Sequence, residues 1–413
     1  MARIATFAAI DVGTTKICAL VGQVDRDGEL QVLGVGISPS HGMKRGMVVN
    51  VEEAAAAIRL AVERAERSSG TRIPAAYVGI TGTHVQGVNN RGAIAITRPD
   101  RLVSGDEVER VLEAARSIAI PSNREVLHVL PRSYTLDGYE GVRNPVGLHG
   151  FRLDVETHIV TGAATSIQNL TKCVELAGVA VEDLVLEPLA SSEAVLTEAE
   201  RDMGVVLADI GGGTTDLALF KEGSICHTAV VPVGGNHFTQ DLAIGLRVPF
   251  EAAEEAKIRY GSADPQAVDA AEAVEIASFG DGGQRRVARR LIAEILEARL
   301  EELGELILGD LERSGYGSLL PAGLVLAGGT ANLHHIATVL TARLDLPVRV
   351  GLPRSVYGLA DSVRDPAFAT SVGLLRWGML HGVVGDEPNE LDGFDVGNWW
   401  SRLLAWLKDL LPQ

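Results

Sequence analysis

Two short segments of similar sequence, far apart in the chain, constrain its fold more than any other feature. They read Asp11-Val12-Gly13-Thr14-Thr15 and Asp209-Ile210-Gly211-Gly212-Gly213-Thr214-Thr215. Each follows an apolar run that is typical of a buried strand, and each precedes a predicted hairpin. A unit that occurs twice in this way indicates two related half-domains, each with one strand–turn–strand unit.

The residue types in these turns suit a nucleotide phosphate chain. Glycines let backbone N–H groups approach phosphate oxygens closely, and threonine hydroxyls add donors. The aspartate can hold Mg²⁺, usually through waters, because Mg²⁺ dehydrates reluctantly. One Gly-rich turn is commonly only a turn, but two facing copies can clamp a phosphate chain from both sides.

Two further glycine pairs follow the second turn along the chain. Gly234-Gly235-Asn236 ends the second hairpin, and Gly328-Gly329-Thr330 lies between an apolar strand and a helix. The latter arrangement lets a flat base or a ribose lie against the backbone. Either pair could instead be a plain tight turn.

Composition excludes several classes of protein. The 413 residues allow two or three domains, and 37 basic against 54 acidic residues give a net charge of −17. Such an acidic chain is a poor general nucleic-acid binder, because phosphate contacts need clustered cations. Three widely spaced cysteines suggest neither a zinc site nor a disulfide framework, and we expect reduced, buried thiols. We expect no signal peptide and no transmembrane helix.

Three stretches depart from the alternation of strands and helices. Residues 84–163 read as a small α+β insertion, with strands at 92–97 and 125–134 and a helix at 106–118 that Ser104 caps. Residues 284–314 read as one long charged helix. Residues 381–397 contain acidic residues but no Lys or Arg, which is typical of a solvated linker.

The motifs together resemble the actin/Hsp70/sugar-kinase superfamily. The two turns look like its phosphate 1 and phosphate 2 motifs. Leu186-Glu187-Pro188 looks like connect 1, residues 327–330 like the adenosine motif, and residues 365–373 like connect 2. Residues 141–148, 158–162, 42–46 and Asn50 are similar to segments of the bacterial FtsA cell-division family within it.

This resemblance implies an α/β, two-lobed actin-like (ribonuclease-H-like) ATPase fold, with a small α+β subdomain inserted in the first lobe. The expected parts are the first lobe core (1–83 and 164–203), the inserted subdomain (84–163), the second lobe core (204–245 and 322–380), the top of the second lobe (246–321), the linker (381–397) and a terminal amphipathic helix (398–413).

The resemblance also implies a site for ATP and Mg²⁺. Asp11 and Asp209 would lie near Mg²⁺, and Glu187 and Thr214 would be the catalytic candidates. Whether the cleft hydrolyses ATP stays open, because Glu187 before a proline could equally be structural. The expected nucleotide-binding residues are Asp11, Gly13, Thr14, Thr15, Lys16, Asp209, Gly211, Gly212, Gly213, Thr214, Thr215, Gly234, Gly235, Asn236, Glu254, Lys257, Gly328, Gly329 and Thr330.

The last residues of the chain predict a membrane helix that lies in the plane of the interface. Apolar residues recur at helical spacing, and tryptophan favours the headgroup boundary because its ring is apolar and its N–H is polar. The segment is too short and too charged to span a bilayer. The alternative is a helix docked on its own domain or on a partner. The expected membrane residues are Trp399, Trp400, Leu403, Leu404, Trp406, Leu407, Leu410 and Leu411.

The family resemblance implies a filament-forming protein that tethers the tubulin-like division protein FtsZ to the membrane. It would be peripheral, on the cytoplasmic face at the division site, and would recruit later division proteins through the inserted subdomain. The acidic FtsZ tail would bind near Arg289, Arg290 and Arg299. Two alternatives remain: an actin-like scaffold of the pilus-assembly type, and a small-molecule kinase that uses the same cleft.

Overall fold

The computed structural model describes residues 6–25, 29–117, 120–279, 283–317 and 320–381. The first segment of the chain folds into the strands and helix that carry the first phosphate turn. Asn50 begins the helix, because its side chain accepts hydrogen bonds from the N–H groups of Glu52 and Glu53, and Gly70 ends it in a left-handed conformation. The elements are β1 (Thr6–Val12), β2 (Lys16–Val24), β3 (Leu30–Pro39), β4 (Met43–Lys44), β5 (Met47–Val48), α1 (Val51–Ser69) and β6 (Ala75–Ile80).

The next segment leaves this sheet and builds a separate antiparallel sheet. Its described strands are ordered β7-β10-β8-β9, and α2 packs on one face over a core that includes Val111, Leu112 and Leu153. The N–H and the hydroxyl of Ser104 both donate to Glu107 at the start of α2. The elements are β7 (Gln86–Ala95), α2 (Gly105–Arg116), β8 (Arg124–Leu136), β9 (Tyr139–Val142) and β10 (Arg152–Ala163).

The chain then returns to the first lobe and passes into the second. The elements of the return are α3 (Ala164–Leu176), β11 (Ala180–Leu186), α4 (Glu187–Val195) and α5 (Glu198–Met203). Those of the second lobe are β12 (Val205–Ile210), β13 (Thr215–Lys221), β14 (Ser224–Val231), α6 (Gly235–Leu246), α7 (Phe250–Tyr260), β15 (Ala273–Ala277), β16 (Gln284–Ala288), α8 (Arg289–Ser314), β17 (Leu324–Ala327), α9 (Ile336–Leu344) and β18 (Val348–Val350). The last elements, β19 (Val356–Gly358) and α10 (Ala369–His381), pack on the first lobe.

The two large sheets repeat one topology. In the first, β3-β2-β1 is an antiparallel meander, and β6 and then β11 add in parallel to β1. In the second, β14-β13-β12 is the meander, and β17 and then β18 add in parallel to β12. The repeat expected from the two turns is therefore present, and each Asp is the penultimate residue of the strand that joins the meander to the parallel strands.

Alternation along β1 decides what faces the cleft. Ala8, Ile10 and Val12 pack against α1 and α3, whereas Ala9 lies in the core shared with α4 and α10. Asp11 is on the same side of the strand as Ala9, because side chains alternate with a period of two. Both helices therefore lie between the two sheets, directly behind the aspartates.

One expected element is wrong. Residues 284–288 form strand β16, which pairs antiparallel with β15, and the long helix begins only at Arg289. The pairing with β15 is a tertiary contact that the charged sequence of this stretch does not reveal. Along the described ranges no helix has both the length and the apolar character needed to cross a bilayer.

Candidate functional site

A cavity of about 410 Å³ lies between the lobes and gathers most of the residues expected to bind a nucleotide. The two phosphate turns line it together with Asn236, Glu254, Lys257 and the 328–330 turn. Thr215 and Gly234 are not among the lining residues. The Thr215 hydroxyl donates to the carbonyl of Val233, and Gly234 packs behind the turn, where a Cβ would lie 2.7 Å from the Gly211 carbonyl oxygen.

The two turns touch each other across the cavity. A Cβ built on Gly212 would lie 1.9 Å from the Thr15 hydroxyl oxygen, and one on Gly213 would lie 2.9 Å from that of Thr14. A residue with a side chain at either glycine would collide with the threonine of the opposite turn. The arrangement therefore brings hydrogen-bond donors from both turns close together.

The second turn is held rigid by its neighbours. The N–H groups of Gly235 and Asn236 donate to the carbonyls of Gly211 and Gly212, both at 2.8 Å. The Thr330 hydroxyl donates to the Gly211 carbonyl at 3.3 Å. These bonds tie the second phosphate turn to the start of α6 and to the 328–330 turn.

The two aspartates are fixed by hydroxyls from α4 and α10. Ser371 donates to Asp11 at 2.8 Å, Thr370 donates to Asp209 at 2.9 Å, and Ser191 also donates to Asp209. Burial raises the pKa of Asp11 to about 6, although Lys16 and the Ser371 bond act in the opposite direction. Burial likewise raises the pKa of Asp209.

Two more carboxylates enter the same cavity. Glu187 is the first residue of α4, and its Oε1 is buried without a hydrogen-bond partner among the described residues. Burial, reinforced by the neighbouring aspartates, raises its pKa well above the ordinary range. Asp216, on β13, accepts hydrogen bonds from the hydroxyls of Thr81 and Thr214, and burial raises its pKa to about 7.

Sequence reasoning had not singled out Asp216. Side chains alternate along a strand with a period of two, so residues 214 and 216 point to the same side. This alternation could have indicated that Asp216 faces the cavity with Thr214. Ser191, Thr370 and Ser371 were missed as well, although the last two lie in the segment that resembles connect 2.

Cations near the cavity are already bonded. The Lys16 ammonium donates to the carbonyl of Ala367 and lies 3.6 Å from the centre of the Phe368 ring. The Lys257 ammonium donates to Glu254 at 2.6 Å and to the Thr239 hydroxyl at 2.8 Å. Within the described part of the chain, no cluster of three or more acidic, His or Cys side chains could hold a metal by itself.

The three arginines expected to meet a partner lie on α8 and have internal contacts. Arg289 donates to Glu272 at 2.9 Å and to the Tyr260 carbonyl at the same distance. Arg299 pairs with Asp241. Arg290 donates to the Gln266 side chain at 2.8 Å and lies 3.9 Å from Glu294. The expected membrane residues, from Trp399 to Leu411, lie outside the described residues.

Comparisons with known proteins agree with this arrangement. A family model described as cell division protein FtsA matches residues 206–373, and one described as an SHS2 domain inserted in FtsA matches residues 82–161. Cell division protein FtsA of Pseudomonas aeruginosa is 46% identical over 90% of this chain and 88% of its own length. That of Neisseria meningitidis is 42% identical, with 97% and 98% coverage, and that of Escherichia coli K12 is 36% identical, with 97% and 96%.

Solved structures show the same architecture at low identity. The PilM–PilN type IV pilus biogenesis complex contains a chain that matches with a TM-score of 0.65 at 18% identity, covering 90% of this chain and 98% of its own. MreB5 of Spiroplasma citri bound to ADP matches with a TM-score of 0.53 at 15% identity, with 90% and 95% coverage. The expected two-lobed actin-like fold with an inserted α+β subdomain is thereby confirmed.

Proposed function

Since the chain belongs to the FtsA family of actin-like cell-division proteins, we propose that its cleft binds ATP with Mg²⁺. Nucleotide occupancy would control lobe closure and self-assembly. The observation that carries this proposal is the contact of the two phosphate turns in front of buried Asp11 and Asp209. Family membership favours cell division over the pilus-type scaffold and the kinase.

The residues of the cleft fit a Mg²⁺–phosphate group. Burial raises the pKa values of Asp11 and Asp209 because it disfavours their ionised forms. A hydrated divalent cation nearby would stabilise the ionised carboxylates. Asp11 and Asp209 would hold the ion through waters, since the described part of the chain offers no cluster of three or more acidic, His or Cys side chains that could hold a metal by itself. When bound, Mg²⁺ would neutralise phosphate charge.

If the cleft hydrolyses ATP, we expect Glu187 to hold the attacking water. Its free Oε1 can accept a hydrogen bond from a water, and its raised pKa makes it a stronger proton acceptor than an exposed carboxylate. The Thr214 hydroxyl lines the same cavity and can donate to a phosphate oxygen or to that water.

A calorimetric titration of the full chain with ATP tests the cleft, with Mg²⁺ or with EDTA. Gly212→Ala should weaken ATP binding by tenfold or more, because its methyl would separate the two turns. Gly309→Ala is the matched control, since its methyl would meet only the mobile end of Arg313 at 3.5 Å. Wild-type protein that binds no ATP, or Gly212→Ala that binds as wild type does, would contradict the proposal.

We further propose that residues 398–413 bind the membrane and thereby tether FtsZ to it. Support comes from their sequence alone, namely the apolar stripe of Trp and Leu after an acidic linker. Because only two cations flank the stripe, one copy should bind weakly, and self-assembly would multiply the affinity through avidity.

Liposome co-sedimentation tests this anchor with and without ATP. We would compare the full chain, a chain that ends at Asp395, and Trp399→Glu/Trp400→Glu. Pelleting of the intact chain alone, strengthened by ATP, supports an anchor on a polymer. Equal pelleting of all three, or of none, contradicts it.

The FtsZ tail and later division proteins are the proposed protein partners. Acidic residues of the tail would pair with exposed arginines of α8, and the inserted subdomain would recruit the later proteins. Arg290 discriminates best, because its internal contacts are weaker than those of Arg289 and Arg299. Arg290→Glu should weaken binding of an FtsZ tail peptide severalfold without lowering the melting temperature, and unchanged affinity would exclude this arginine from the interface.

A further inference from the structure

The short β4–β5 hairpin contacts both phosphate turns. The N–H of Gly46 donates to the Thr14 hydroxyl of the first turn at 3.1 Å. On the other side, a Cβ built on Gly213 of the second turn would lie 2.9 Å from Arg45 Cα and 3.1 Å from Arg45 N. The turn of this hairpin therefore lies where the two lobes meet.

The backbone at Arg45 is held in an unfavourable conformation. Its φ is +50°, in the left-handed region that costs a residue other than glycine about 1–2 kcal/mol. Two contacts of the next residue hold it there: the Gly46–Thr14 hydrogen bond, and the close packing of Gly46 on Gly82. The surrounding structure thus holds Arg45 in a strained conformation, and such strained residues cluster at functional sites.

The Arg45 side chain is exposed and uncommitted. Within the described ranges its guanidinium makes no hydrogen bond or ion pair, in contrast to the ammonium groups of Lys16 and Lys257. It is a free cation beside a cavity that buries four carboxylates, in a chain of net charge −17.

Its position would correspond to the far end of the proposed nucleotide. The 328–330 turn, Glu254 and Lys257 line the cavity on the side expected for the nucleoside, whereas Arg45 lies outside the cavity lining, against the phosphate turns. A Cβ built on Gly213 would lie 2.9 Å from Arg45 Cα and 2.9 Å from the Thr14 hydroxyl oxygen. These two atoms are therefore no farther apart than twice that distance. An arginine side chain, with bonds of ~1.5 Å, spans roughly 6–7 Å.

We propose that Arg45 contacts the terminal phosphate of ATP and so makes the cleft distinguish a triphosphate from a diphosphate. The inference rests on the proposed ATP binding. The guanidinium presents a planar fork of donors that matches two phosphate oxygens. Because the hairpin touches both lobes, this contact reports the terminal phosphate at the point where the lobes close.

Affinities for ATP and for ADP, measured with Mg²⁺ on the full chain, test this inference. Arg45→Gln shortens the side chain only modestly and removes its charge, and Arg45→Lys keeps the charge without the fork. Lys44→Ala is the matched control, because it removes from the same hairpin one exposed charge that has no ion pair among the described residues. The melting temperature of each variant without nucleotide reports whether it folds.

Arg45→Gln should lower the affinity for ATP by about tenfold or more, as loss of a charge-assisted hydrogen bond does. Its affinity for ADP should change by less than about twofold, and Lys44→Ala should leave both near wild type. The affinity of Arg45→Lys for ATP should lie between those of wild type and Arg45→Gln. If Arg45→Gln weakened the binding of ATP and ADP equally, or if Lys44→Ala weakened ATP binding as much as Arg45→Gln does, the inference would be overturned. The proposal that the cleft binds ATP would still stand. Wild-type protein that binds neither nucleotide would overturn the proposed function instead.

Discussion

Replacing Asp216 with asparagine should make the nucleotide-free protein more stable at pH 8 but not at pH 4. The Asp216 carboxyl is buried in the cleft, and its pKa rises from 3.8 to about 7, chiefly because of burial. In the unfolded chain the carboxyl ionises at its ordinary pKa. Folding at pH 8 therefore places a negative charge where the structure disfavours it, and the asparagine of the variant would carry none.

The size of the effect follows from the shift of the pKa. A difference of about three units, at 1.36 kcal/mol each, makes the ionised carboxyl cost about 4 kcal/mol above pH 7. The sign is opposite to that of a salt-bridged aspartate: stability falls as the pH rises from about 4 to 7 and then levels off. Asparagine keeps an acceptor for Thr81 or Thr214 and loses about one hydrogen bond, worth ~1 kcal/mol. The net change is about +3 kcal/mol at pH 8 and about −1 kcal/mol at pH 4.

Melting temperatures between pH 4 and pH 9 measure this difference, since a two-lobed chain has no single two-state free energy of unfolding. The variant should melt a few degrees above wild type at pH 8 and at or below it near pH 4. Asp361→Asn, at a fully exposed side chain, is the control and should give no such crossing. A difference between Asp216→Asn and wild type that does not change with pH would refute the argument that a buried charge causes it.

Three other changes should lower the melting temperature. Gly36→Ala should do so by several degrees, because its methyl would lie 1.9 Å from the Ala61 carbonyl oxygen, an overlap that costs about 3 kcal/mol or more. His128→Phe should cost about 1–3 kcal/mol, because it leaves the buried N–H of Leu186 without the imidazole acceptor. His128→Gln offers a new acceptor and should restore part of the lost stability in the same assay. Arg349→Met should destabilise at pH 7 by removing the two hydrogen bonds to Glu200, whose lowered pKa of about 2 makes the loss shrink as the pH falls from about 4.5.

The features that sequence reasoning anticipated are those with a local chemical cause. The turns at 11–15 and 209–215 need glycine wherever they lie in the chain, and strands must precede them for the aspartates to reach a common edge. Ser104 begins a helix because its polar groups and Glu107 satisfy each other within one turn. Such rules act over a few residues, so the sequence itself carries them.

The features that were missed depend on partners distant in the chain. Residues 284–288 are charged and adjoin a long helix, yet their pairing with β15 makes them a strand. The two-residue period of β13 places Asp216 beside Thr214, but its contact with Thr81 of the other lobe depends on the tertiary fold. Arg45 becomes notable through its contact with Gly213, which no local pattern near residue 45 predicts.

The four buried carboxylates give the cleft a physical reason to respond to its ligand. Asp11, Glu187, Asp209 and Asp216 come from both lobes, and burial raises all four pKa values. Repulsion by neighbouring aspartates adds to the effect for Asp11, Glu187 and Asp216. If the lobes move together as proposed, these charges would be concentrated, and electrostatic repulsion would oppose closure without added cations. A magnesium–nucleotide complex would bring positive charge to the aspartates and phosphate oxygens to the glycine turns, and both favour the closed arrangement. A ligand shifts the equilibrium between open and closed lobes only by its differential affinity for the two states. The buried carboxylates would supply that difference, because they oppose closure without the magnesium–nucleotide complex and favour closure with it.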